Sequence, residues 1–223
     1  MIGPGNGRAA QREFFKPERV LAFSDGVFAV AITLLVIDLR LPPIPQGADA
    51  ALIDALLGME PKVFIFGLTF VIVGMSWLGH HRKFSYIGRV DSRLLWLNLV
   101  YLMTLSLIPF ATSVLSEHSS RIGFMVYGLV LALSLLLSTA LSAYGLRAPF
   151  LVKGNLRPGA RQDMILSPFL TALIFLGSVG LAFAHLEEIA HWSLLLIVPA
   201  QAFFGSRART HHPLDKPSRN RDE

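Results

Sequence analysis

Three residue types that rarely enter a bilayer stand together near the start of the chain: Arg19, Ser24 and Asp25, at the head of an uncharged run over residues 26–37. A carboxylate inside an apolar segment faces protein or water and marks a structural polar network or an ion path. Asp25 and Arg19 are six residues apart, not an i,i+4 pair, so partners for Asp25 are expected on other helices. Val30, Thr33, Leu34 and Ile37 follow at i, i+3, i+4 and i+7, one stripe of a helix with a single hydroxyl in it. Such a threonine either bonds its own backbone or a neighbouring helix, or lines a pathway.

Other polar chemistry is thin. Trp77, His80 and Asn98 are further polar residues in apolar runs, and a buried Asn must find hydrogen-bond partners. His185, Glu188 and His191 are spaced i, i+3, i+6, which puts the third off the face of the first two, and they read as a polar loop rather than a metal site. There is no Gly-x-Ser-x-Gly elbow, phosphate loop or dinucleotide fingerprint, and nothing argues for an enzyme or a cofactor.

The elements that must position these residues are membrane spans. With 53% hydrophobic and 16% charged residues in 223, the chain is far from soluble composition. Six spans are expected, near residues 20–39, 63–80, 94–115, 122–144, 164–184 and 189–204, with a short interfacial helix at 50–57. Pro42, Pro43 and Pro45 end the first span, and a charged hinge from His81 to Arg93 follows the second. Residues 1–16 read as a basic tail, 17–205 as one six-span domain, and 206–223 as a disordered tail. The first span has no cleavage site and is read as retained.

Six spans place both termini on one side. Seventeen of the twenty Lys and Arg residues fall on that side, against Arg40, Lys62 and Arg121 on the other. By the positive-inside rule both termini are expected in the cytoplasm, in a multi-pass protein of the cell (inner) membrane. The basic residues therefore report topology, and no nucleic-acid partner is expected. With no cysteine, disulfides and thiolate sites are excluded.

The R-x-x-x-F-S-D spacing of Arg19, Phe23, Ser24 and Asp25 resembles the signature of the transmembrane protein 175 family, potassium channels of bacteria and of animal endosomes and lysosomes. Further matches are Trp77-x-x-His80 with Phe84 four residues on, Leu97-Asn98-Leu99, and Leu107-Ile108-Pro109-Phe110. The resemblance is strongest over residues 19–110. It implies an all-α integral membrane protein, a homotetramer of six-span subunits whose first helices line a central pore without a Thr-Val-Gly-Tyr-Gly filter. On this pattern Val30 is the hydrophobic constriction, Thr33 the hydroxyl position, and Leu34 and Ile37 further apolar rings. Relatives tend to carry Ile or Leu at the constriction, so Val30 implies a wider gap and weaker selectivity for K+ over Na+. The implied partners are membrane lipid, three further copies of the chain, and K+ with other monovalent cations as permeant ions. Arg19, Phe23, Ser24, Asp25, Trp77, His80 and Asn98 are expected to form a packed network holding span 1 against spans 2 and 3. The alternatives are a secondary transporter or proton-leak pathway, which calls for ionisable groups near the midplane, and a non-conducting scaffold.

Overall fold

The computed structural model describes residues 14–154 and 156–197. A two-residue strand β1 (Phe14–Phe15) leads directly into helix α1 (Pro17–Leu34), with Pro17 in its first turn where the missing N–H costs nothing. A 3-10 turn (Leu35–Asp38) extends α1 before the proline-rich loop. The expected interfacial helix is α2 (Asp49–Gly58), which buries none of its residues in this chain. α3 (Glu60–Tyr86) runs into strand β2 (Val90–Asp91), and α4 (Ser92–Ser106) and α5 (Ile108–Glu117) make the third span in two pieces. Long helices α6 (Arg121–Arg147) and α7 (Pro158–Phe183) follow, then the short α8 (Glu187–Ser193).

Five helical segments among the described residues are long and apolar enough to cross a membrane: Pro17–Asp38, Glu60–Tyr86, Ser92–Glu117, Arg121–Arg147 and Gly159–Phe183. The sixth expected span begins at α8 and a 3-10 turn (Leu194–Leu196); its remainder lies outside the described residues.

Local chemistry explains the breaks. Asp91 caps α4 by accepting the Leu94 N–H at 2.9 Å, and Ser120 caps α6 through Gly123 N–H at 3.2 Å. Pro109 has no N–H to give to Leu105, so the third span divides at Leu107. At Gly128 a Cβ would stand 2.6 Å from a Val179 methyl, so glycine permits the close approach of α6 and α7.

Two expectations need correction. The charged hinge is helix: α3 continues through His81, Arg82 and Lys83 to Tyr86, because nothing in that stretch breaks it. The end of the N-terminal tail is ordered: Phe14 and Phe15 pair antiparallel with Asp91 and Val90, and Arg89 lies over the Phe14 ring at 5.5 Å.

The core has a mid-bundle cluster, including Phe28, Val73, Tyr101, Leu105, Tyr127 and Phe175. A second cluster, including Val20, Phe84, Ile87, Leu94, Leu141 and Leu151, sits at the end that holds the α1 N-terminus. α1 belongs to both, which fixes its buried face along the whole helix.

Candidate functional site

α1 has two opposed faces. Val20, Ser24, Phe28, Ala31 and Leu35 recur at intervals of four, four, three and four, and all are buried. The opposite stripe is open: Phe23 is 58% exposed, Val30 57%, Leu34 40% and Ile37 47%, with Gly26 and Thr33 exposed beside them. The four residues expected to line a pore thus share the face that this chain does not cover.

Thr33 directs its hydroxyl hydrogen back into its own helix, toward the carbonyls of Ala29 (3.0 Å) and Val30 (2.9 Å). That occupies its donor and leaves the oxygen lone pairs turned outward, the arrangement that suits a cation and not an anion.

Behind α1, the expected polar network resolves into two arms. In the buried arm, Ser24 Oγ donates to the Val20 carbonyl at 2.8 Å, and Asn98 Nδ2 donates to Ser24 Oγ at 3.0 Å. Because the Ser24 hydrogen is already committed, the Asn98 amide is oriented with Oδ1 toward His80 Nε2, at 2.9 Å. His80 is therefore the donor there. Its ring lies within a cage of Phe84 (centroids 4.5 Å), Phe28 (5.5 Å) and Tyr101 (5.8 Å). Ser24, His80 and Asn98 are each at most 1% exposed.

In the second arm, nearer the bundle surface, Trp77 Nε1 donates to Asp25 Oδ1 at 2.8 Å. The carboxylate so tied sits on α1 and the indole on α3. Arg19 is exposed and its side chain makes no hydrogen bond or ion pair among the described residues, and Phe23 belongs to the open stripe; both stand outside the two arms.

Three features lie beyond the sequence reading. Lys83 is buried between α3 and α6, its ammonium donating to Ser138 Oγ at 2.5 Å and to the Ser138 carbonyl at 3.2 Å. Tyr144 on α6 donates to Asp91 Oδ2 at 2.6 Å, and Thr69 and Tyr127 pair at 3.0 Å. Only the spacing of Lys83 with His80, i and i+3, signalled that it shares the buried face. No group of three His, Cys, Asp or Glu side chains among the described residues could hold a metal ion.

Comparison with known proteins matches this arrangement to one family. Residues 19–109, which contain both arms and the open stripe, match the profile described as endosomal/lysosomal potassium channel TMEM175. A potassium channel of Streptomyces collinus is 36% identical over 185 residues, 80% of this chain and 89% of that protein. The chain belongs to the TMEM175 family. A potassium channel of Chamaesiphon minutus is also 36% identical, over 122 residues that make up 52% of this chain and 60% of its own length. The crystal structure of a lysosomal potassium-selective channel TMEM175 homolog from Chamaesiphon minutus superposes with a TM-score of 0.70. That alignment has 25% identity over 86% of this chain and 97% of the other. The family is one of channels, so an enzyme is excluded and the carrier and scaffold readings are not favoured.

Proposed function

We propose that the chain is a subunit of a homotetrameric, potassium-permeable channel of the cell membrane, with both termini in the cytoplasm. Four α1 helices surround the axis and present Val30, Thr33, Leu34 and Ile37 to it. What supports this reading above all is the open stripe of α1. It belongs to a helix seated on α3, α4 and α5 along its other side, and it carries the exposed Thr33 hydroxyl, whose hydrogen is turned back to the helix carbonyls.

Conduction is passive. Val30 supplies a ring of short alkyl groups that closes to ions by dewetting and passes them when the ring is wide enough to hydrate. Thr33, one turn deeper, offers four oxygens that ease partial dehydration of K+. The two arms work as positioning devices: Ser24–Asn98–His80 and Asp25–Trp77 set the rotation of α1 about its axis, and a helix rotated by one residue turns its stripe by about 100°. K+ is the permeant ion and no cofactor takes part.

The test is ion flux through the purified protein in liposomes, first with a K+ gradient and then with Na+. A K+-favouring flux, altered by Val30→Ala, is expected. Absence of flux from a protein that still assembles would contradict the reading.

A further inference from the structure

A groove open to the outside of the bundle runs between α4 and α6, lined by Ser92, Arg93, Trp96, Leu97, Val100 and Tyr144. Its long wall is one helical stripe: Arg93, Trp96, Leu97 and Val100 stand at i, i+3, i+4 and i+7. From Trp96 onward that wall is apolar, and Trp96 is 67% exposed. The opposite wall is Tyr144. Arg147, three residues on, continues the same face of α6 toward the same end of the bundle.

The groove thus has an oily floor and a cationic rim. Arg93 and Arg147 are exposed, and neither guanidinium makes a hydrogen bond or ion pair among the described residues. The nearby carboxylate, Asp91, forms an ion pair with neither: its two oxygens accept from the Leu94 N–H and the Tyr144 hydroxyl. A guanidinium is always charged and its forked donors match a phosphate. The exposed indole of Trp96, one turn inside the rim, is a side chain that favours headgroup depth. The rim lies at the α1 N-terminal end, which holds ten of the thirteen basic residues among the described residues.

We propose that this groove binds one anionic phospholipid, its phosphate held by Arg93 and Arg147 and an acyl chain laid along Trp96 and Val100. Basic pockets between spans at the cytoplasmic leaflet take lipids of this kind. The proposal rests on the placement of this end of the bundle at the cytoplasmic leaflet, and its readout does not depend on ion conduction.

The full chain, purified in detergent, is titrated with phosphatidylglycerol and with phosphatidylcholine of the same acyl chains, and retained lipid is counted by native mass spectrometry. Phosphatidylglycerol should be held about thirtyfold more tightly than phosphatidylcholine, as two basic contacts imply. Arg93→Gln with Arg147→Gln should abolish the preference, and Trp96→Ala should weaken both lipids. Arg82→Gln with Lys153→Gln, which removes two exposed charges elsewhere at the same end, should leave the preference intact. Equal retention of the two lipids by the wild type overturns the proposal. So does equal loss in both double variants, which would indicate diffuse surface charge. A change of subunit number in the first double variant with its lipid preference unchanged overturns it too, and makes the groove a contact between copies.

Discussion

Trp77 and Asp25 join α3 to α1 through a 2.8 Å hydrogen bond a little over one turn before Val30. The bond sits at the bundle surface while the Ser24–Asn98–His80 arm lies wholly inside it, so α1 is held at two radii. Two attachments at different radii resist rotation of a helix better than two at one radius.

Removing the outer attachment should loosen α1 without unfolding the subunit. Trp77→Phe keeps an aromatic ring and loses the indole N–H, and Asp25→Ala removes the acceptor. Each should lower thermal stability in detergent by about 1.5–3 kcal/mol, the worth of one hydrogen bond to a charged group. The double variant should cost little more than either single one, because both remove the same bond. Additive losses in that cycle would show that the pair does not act together.

The inner arm should be less forgiving. Asn98→Leu strands the His80 Nε2–H in an apolar cage and costs about 1–3 kcal/mol or more, and it should disperse the oligomer on a sizing column. Ser24→Ala, which orphans only one amide hydrogen, should do less. His80→Ala empties the aromatic cage as well and should abolish assembly. A wild-type elution profile for Asn98→Leu and His80→Ala would remove the arm from the account.

Lys83 makes a different prediction, because its ammonium is held by Ser138 with no carboxylate partner among the described residues. Lys83→Met replaces a buried charge by an apolar chain of similar length, and the Ser138 carbonyl keeps the Ser142 hydroxyl as a donor at 2.7 Å. Stability should change by less than about 1 kcal/mol or rise. Ser138→Ala leaves the ammonium buried with fewer partners and should be the more damaging variant. Thermal melts that rank the two in the reverse order would contradict this.

Thr33→Val removes the outward oxygen at nearly constant volume. Within the α1 bundle it should leave assembly unchanged and reduce K+ flux in liposomes several-fold, since only dehydration of the ion is affected. Unchanged flux would take Thr33 out of the ion path.

Much of this was legible in the residues. The hydropathy of the apolar runs and the prolines at 42, 43 and 45 located the spans, because backbone satisfaction in a bilayer leaves little but helix. The signature around Phe23-Ser24-Asp25 pointed to Trp77, His80 and Asn98 as partners of one helix. The division of those residues into two arms was not legible, since it depends on which hydroxyl hydrogen is already spent, as it is at Ser24. Lys83 was misplaced for a related reason. A lysine after His80-His81-Arg82 looks like a loop charge, and only the continuation of α3 turns it onto the face of Thr69, His80 and Phe84. The Asp91–Tyr144 bond joins residues 53 apart, a pairing no local pattern carries.

The central claim is that the open stripe of α1 meets the ions. The chain has no cysteine, so single cysteines can be placed without background. Thr33→Cys and Ala31→Cys sit two residues apart on opposite faces, one exposed and the other buried. K+ flux through each, reconstituted in liposomes, is compared before and after a charged methanethiosulfonate reagent. The account predicts that the Thr33→Cys channel is blocked and the Ala31→Cys channel is untouched. Block of Ala31→Cys, or a Thr33→Cys channel indifferent to the reagent, would mean that the ions pass elsewhere.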